Sequence, residues 1–545
     1  MKKFATDTKR YVTGLLLLLL VYGVLHFLCT YRNTFGERDS YRVFDGVLDA
    51  FIQGKDLASG LVYGYGISRG YFAIVATLRS LAAHPLELAR ALNLITYVSV
   101  VASLIPISLI ARALAGNTAG LAAAVIVMTV PIWVFCGEYA HPMWPAIFFI
   151  LAALAAVGLR SNMRSSWRYV LDLAAVCLIG LAFSMRVDVL LMAPMFLAFC
   201  FDEGRFSLTK AAYLAALGIA GIGIGLGIFA LLPSPPPAHA SVPALLAEWH
   251  NPKRFVANFG AAQLRVMRAL NPLLVLGFVC AIILLIRARD LPRLAAVLPL
   301  VLLNYLFWIP NPQPERHFLY LVPGLALALA FVLADAIERP PTAAIRRIGL
   351  AVLGLGPLSY LALWLTGSAK PLYFIGTLVG ALALARCFEP ERVSPARKSA
   401  FALGLCLVIA AIVFLPGKIV ERNPYDKNDP VRLSAIAGPL LALPRLDRPV
   451  VVISDAYPVI AAMLINPQVH LNWSIDVPWI DAKTDTNDFI FFIQGWVENE
   501  AAQATLDLAK TKPIYLVVDP QAAPHDFQTL NTQANIIRLS PRHGA

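Results

Sequence analysis

The feature that most limits what this chain can become is a succession of apolar runs of bilayer-crossing length, separated by short gaps that carry most of its arginines. Lipid offers no partner for backbone N–H and C=O groups, so runs of this kind cross as helices that satisfy their own backbone. Spans are expected near Tyr11–Cys29, Ala91–Ala111, Leu121–Cys136, Met143–Leu159, Tyr169–Met185, Val187–Phe201 and Ala211–Leu232. Further ones are expected near Pro272–Ile286, Leu294–Ile309, Phe318–Ala334, Ile348–Thr366, Leu372–Cys387 and Ala400–Leu415, which makes about thirteen crossings. The fold class expected is a polytopic α-helical membrane protein with juxtamembrane helices on its outer face and a small C-terminal α/β soluble domain.

The gaps fix the orientation. With the basic N-terminus (Lys2, Lys3, Lys9, Arg10) in the cytoplasm, Arg112, Arg160, Arg164, Arg168, Arg205, Lys210, Arg287, Arg289, Arg293, Arg346 and Arg347 all fall inside. That is the positive-inside pattern. It also accounts for the net charge of +12 without nucleic acid, because the basic residues do not gather on one segment. The first run lacks a small-x-small cleavage site and reads as an anchor. The seven cysteines show no CxxC or metal-ligand spacing and read as small apolar residues.

Residues 30–90 form the first outer loop, where Ser40–Gln53 has helical apolar spacing suited to a membrane surface. Leu61–Ala83 is broken by glycines and contains Arg69 and Arg79. It is read as a second juxtamembrane helix, since counting it as a span would invert every later basic cluster. A third surface helix is expected at Val242–Trp249. After Pro416 the composition turns polar, dividing the chain into a membrane unit, 1–416, and an outer unit, 417–545. In the latter, strands are expected at Val450–Ser454, Phe489–Ile493, Ile514–Val518 and Ile536–Leu539, with helices at Tyr457–Ile465 and Glu498–Lys510.

This topology brings several charged segments to the outer face: Glu37-Arg38-Asp39, Glu138 with His141, Arg186 with Asp188, and Glu315-Arg316-His317. An acid within a few residues of a span is costly unless a hydrated cleft receives it, so Asp39 is the leading candidate for a working carboxylate. Carboxylates and arginines around such a cleft suit transfer of a sugar from a phosphate-linked lipid. Arginine grips the phosphate and stabilises charge on the leaving group, while a carboxylate takes a proton from the acceptor. Two close carboxylates could also hold a divalent cation against the phosphate.

These segments together resemble the GT-C superfamily of membrane glycosyltransferases, in particular the branch of protein O-mannosyltransferases and bacterial lipid A aminoarabinose transferases. Asp39-Ser40-Tyr41-Arg42 leading to Gln53-Gly54 is similar to the family's acid after the first span, which implies that Asp39 is catalytic. Gly137-Glu138-Tyr139-Ala140 resembles the second-loop signal, but Met143 stands where the family has an acid, leaving Glu138 and His141 as replacements. Glu315–Pro323 is similar to the late basic motif, which implies that Arg316 contacts the lipid phosphate with His317 beside it. Arg69 lies near a phosphate-binding base of the aminoarabinose branch. Tyr63, Tyr65, Arg186 and Asp188 would shape the pocket.

The resemblance implies an inverting glycosyltransferase of a bacterial inner membrane. Its partners would be a polyprenyl-phosphate sugar donor, a lipid, glycan or protein acceptor, and the surrounding membrane lipids. Two alternatives stay open: a transporter or flippase of a lipid-linked sugar, and an oligosaccharide ligase or polymerase. Transport is disfavoured because transporters carry polar residues near the midplane on broken helices, whereas these spans are polar mainly at one end.

Overall fold

The computed structural model describes residues 2–30, 67–81, 85–135, 141–161, 163–202, 204–232, 269–308, 315–338, 343–365 and 371–385. It also describes a few positions from 259 to 267 and five strands between 450 and 538. Asp39, Tyr63, Tyr65 and Glu138 lie outside the described residues, as do the expected surface helices at 40–53 and 242–249, the span at 400–415 and the tail helices. For Arg316 and His317 only the backbone is described.

Among the described residues, seven segments are long and apolar enough to cross a membrane: Asp7–Phe27, Arg90–Met128, Met143–Arg160, Ser165–Met185, Leu208–Leu231, Phe318–Glu338 and Arg346–Leu365. The second has 39 residues. As a straight helix it would measure about 58 Å, roughly twice the hydrocarbon thickness. It does not run straight. Helix α1 (Lys2–Thr30) is followed by α2 (Arg69–Leu81), α3 (Pro85–Ala102) and α4 (Leu104–Met128), and Gly116 inside α4 has φ 86° and ψ −179°. A left-handed φ of this size suits glycine, and here it folds the chain back on itself. A Cβ on Gly120 would lie 2.9 Å from the Ser108 carbonyl oxygen, so the returning limb packs tightly on the outgoing one. The two segments expected on either side of residue 116 are therefore separate helical limbs.

Side chains show how α1 lies against this hairpin. Tyr97 donates to the Gly23 carbonyl at 2.8 Å, Tyr11 and Ser108 share a 2.8 Å hydrogen bond, and Asn117 reaches the Asp7 carbonyl at 3.4 Å. The limbs are thus antiparallel. Next come α5 (Pro131–Phe135), α6 (Met143–Arg160), α7 (Ser165–Met185) and a 3-10 helix, Val187–Cys200. Fourteen residues of α-helix would fall short of a bilayer, but at 2.0 Å per residue the 3-10 form reaches about 28 Å. Pro194 within it has no N–H for the Leu191 carbonyl three residues back. Asn304, fully buried, supplies the donor at 3.1 Å and so covers an acceptor that apolar surroundings would leave orphaned.

A short hairpin, β1 (Phe201–Asp202) and β2 (Arg205–Phe206), leads into α8 (Leu208–Leu231), which is largely exposed and presents an apolar surface suited to lipid. Then follow α9 (Pro272–Ala288), α10 (Leu291–Trp308), a 3-10 turn (Glu315–Leu321), α11 (Val322–Glu338), α12 (Ala343–Leu365) and α13 (Pro371–Ala385). Helix α11 is the most enclosed of the long helices and forms the centre of the bundle. The segment expected as a second juxtamembrane helix contains α2, whose first turn docks on the end of α7: a Cβ on Gly70 would lie 2.6 Å from Ser184 Oγ.

Arg112, Arg160 and Arg293 gather at the end of the bundle that holds Asp7 and Gly116, as the expected sorting of basic loops requires. Arg293 shows how that end is fastened: it meets Asp335 at 2.9 Å, Asp290 at 3.3 Å and the Leu114 carbonyl at 3.4 Å.

Beyond the helices, β3 (Val450–Ile453), β4 (His470–Asn472), β5 (Phe489–Ile493), β6 (Tyr515–Val518) and β7 (Asn535–Arg538) form a parallel sheet in the order β4-β5-β3-β6-β7. Four lie where continuous apolar runs placed them. The edge strand His470–Asn472 carries no such run.

Candidate functional site

The end of the bundle opposite Gly116 brings together three segments far apart in sequence. Helix α7 stops at Met185, and Arg186 takes an extended backbone (φ −165°, ψ 120°) that starts the 3-10 helix with Asp188 in its first turn. This break places Arg186 and Asp188 on the same side of the chain. Arg186 Nε donates to Asp188 Oδ1 at 2.7 Å and to Oδ2 at 2.9 Å, with the two side chains only 10% and 12% exposed. Tyr320, fully buried in the turn that leads into α11, donates its hydroxyl to Asp188 Oδ1 at 2.7 Å. An ion pair this enclosed loses hydration and is held by such charge-assisted bonds.

The first turn of α2 lies directly alongside. The Val187 N–H donates to the Ile67 carbonyl at 2.9 Å, and Gly70 sits against Ser184. Arg69 is thereby carried to the end of α8, where Nη1 donates to the Phe229 carbonyl at 3.2 Å and the guanidinium lies 5.2 Å from the Phe229 ring centroid. Among the described residues Arg69 faces no carboxylate, and its buried Nε meets no acceptor. Ser68 Oγ and Tyr71 Oη are also buried without a protein partner. Three such groups within one turn are unusual, because buried polar atoms are nearly always paired. The set can donate to an anion.

His141 is buried at the start of α6, where Nδ1 accepts the Met143 N–H at 3.2 Å. That bond fixes its ring and leaves Nδ1 as the acceptor nitrogen. Close by in the chain, Trp133 and Trp144 meet edge to face at 4.8 Å, and Trp133 Nε1 is another buried donor without an acceptor. Arg316 and His317 stand in the turn that carries Tyr320, so their backbones belong to this end.

Of the residues expected from the sequence, Arg69, Arg186 and Asp188 come together, with the Arg316 segment adjoining. Asp39, Glu138, Tyr63 and Tyr65 lie outside the described residues. So does the pair of carboxylates expected to hold a divalent cation, and no group of three or more metal-ligating side chains occurs among the described residues. Sequence reading missed Tyr320, Ser68, Tyr71 and Trp133. A tyrosine set among leucines next to an Arg-His pair was the available signal for Tyr320. Nothing local distinguished the other three.

No family model matches the chain, and no curated protein matches it. Solved structures do. ArnT from Cupriavidus metallidurans in the apo state aligns over 96% of both chains with 14% identity and a TM-score of 0.57. The same protein bound to undecaprenyl phosphate aligns over 94% of both, with 14% identity and a TM-score of 0.55. The archaeal oligosaccharyltransferase AglB from Archaeoglobus fulgidus, in complex with an inhibitory peptide and a dolichol-phosphate, aligns over 85% of this chain and 65% of its own, with 13% identity and a TM-score of 0.42. A likeness to ArnT that runs from end to end at this low identity is a likeness of backbone path: the chain has the GT-C fold.

Proposed function

We propose that this protein is an inverting glycosyltransferase that moves a sugar from a polyprenyl-phosphate donor to a lipid, glycan or protein acceptor at the outer face of the membrane. The observation that carries this reading is Arg69 with its unpartnered neighbours, a donor-rich turn beside Arg186, Asp188 and Tyr320. It lies in a bundle whose fold is shared with an ArnT that has been solved with undecaprenyl phosphate.

In this reading the phosphate of the donor rests against Arg69, with Arg316 completing the grip. Asp39 takes the proton of the acceptor hydroxyl or amine, and Glu138 assists in orienting the acceptor. The acceptor atom bonds to the anomeric carbon as the bond from that carbon to the phosphate oxygen breaks, and the oxygen keeps the electron pair. A phosphodiester with one negative charge becomes a phosphomonoester with close to two, and arginine opposite the leaving oxygen stabilises that growth. In the same reading the chain crosses thirteen times, with the N-terminus cytoplasmic and residues 417–545 outside, so that Asp39 and this turn share one water layer.

The test is transfer of label from a polyprenyl-phosphate sugar by purified protein in liposomes, offered lipid, glycan and peptide acceptors. Transfer is expected, with a loss of about 10²- to 10⁴-fold in Asp39→Asn, the range a positioned proton acceptor contributes. Movement of the donor across the bilayer without a new glycosidic bond would replace this reading with transport.

A further inference from the structure

The Arg186–Asp188–Tyr320 group raises a question that phosphate binding alone does not answer: why a site for a phosphate should keep a buried carboxylate. Asp188 has both oxygens engaged by Arg186, and Oδ1 by Tyr320 as well, so most of its accepting capacity is spent inside the protein. Its charge cancels that of Arg186. Arg69, on the neighbouring turn, faces no carboxylate among the described residues. The Val187–Ile67 hydrogen bond joins the two segments one residue from Asp188 and two from Arg69, a backbone separation across which a charge in a low-dielectric setting is still felt.

We propose that Asp188 sets the charge preference of the site, matching it to the singly charged diester donor and weakening its hold on the doubly charged monoester product. This deepens the reading above and rests on it. Transfer leaves polyprenyl phosphate with one more negative charge than the donor, so a site with every arginine uncompensated would bind product more tightly than substrate and stall. An internal carboxylate removes one positive charge and repels the dianion more than the monoanion. Tyr320 and Arg186 hold that carboxylate in one position, so the repulsion is built into the fold. Asp188 is on this account a specificity-determining residue that touches no reacting atom.

The experiment measures competition by two lipids for the donor site of the purified, reconstituted protein: polyprenyl phosphate, and its methyl diester with one charge fewer. The native protein is expected to bind the diester at least as well as the monoester. Asp188→Asn keeps the shape and a hydrogen-bonding group but loses the charge. It is expected to shift the ratio of the two inhibition constants about tenfold toward the monoester, one unit of charge interaction at this range. Asp188→Glu is expected to restore most of the native ratio. A native protein that prefers the monoester more than tenfold overturns the proposal without any variant, as does an Asp188→Asn ratio equal to the native one. Absence of both binding and transfer in the native protein defeats instead the reading as a glycosyltransferase.

Discussion

The two ends of the helical bundle use the same residue type in opposite ways. At the end that holds Gly116, Arg293 meets Asp335, Asp290 and the Leu114 carbonyl, and Arg160 meets Asp172 at 2.8 Å while lying 4.5 Å from the Tyr213 ring centroid. Arg112 rests 4.4 Å from the Tyr11 ring centroid. Each of these guanidiniums is engaged by neighbouring helices. At the other end Arg69 also holds a neighbouring helix, through the Phe229 carbonyl and ring, but among the described residues its buried Nε–H meets no acceptor and lies between two hydroxyls in the same condition. The difference teaches where function lies: paired arginines fasten helices together, and a buried donor left unpaired is tolerated where an anion completes it.

Substitutions at the two ends should therefore separate activity from stability. The largest effect is expected for Arg69→Ala, which should raise KM for the lipid-phosphate donor about 10- to 100-fold, the worth of a charged hydrogen bond, with a fall in melting temperature no larger than that of Arg293→Ala, since only the Phe229 contacts are lost from the fold. Steady-state kinetics and a melting curve on the same preparation check both halves, and an unchanged KM would remove Arg69 from the site. Asn304→Leu should cost about 1–3 kcal/mol of stability, because the Leu191 carbonyl loses the donor that stands in for Pro194, and thermal unfolding in detergent reads this directly.

Arg293→Ala should cost about 1–2 kcal/mol, from the charged hydrogen bond to the Leu114 carbonyl together with an Asp335 pair that water reduces to under about 1 kcal/mol, since that side chain is 42% exposed, while transfer per folded molecule stays at the native level. Activity normalised to the folded fraction would expose any error there. The smallest effect is expected for Arg112→Ala, about 0.5–1 kcal/mol for the stacking contact with Tyr11, visible only as a small shift in melting temperature. If Arg293→Ala or Arg112→Ala abolished transfer in folded protein, the contrast between the two ends would fail.

Much of this arrangement was legible in the primary structure because lipid enforces it. Apolar length located the helices from Ala91 to Ala385, and short apolar runs located four of the five described strands. Arg186 and Asp188 could be named from the sequence as charges at a helix end, and Arg69 from the resemblance of its segment. Tyr320, Ser68 and Tyr71 were not, because their side chains are ordinary at the end of an apolar helix. What marks them is a relation: Tyr320 is 132 residues from the carboxylate it binds.

The sequence by itself determined that the chain crosses a membrane many times and which gaps share an end, since burial of apolar length and the cost of moving charge through lipid depend on local composition. Only the tertiary structure decided which arginine is neutralised and which is left with a free donor. That depends on a hairpin at Gly116, a 3-10 pass completed by Asn304 and the seating of Gly70 on Ser184, and these distances arise between segments that composition cannot relate.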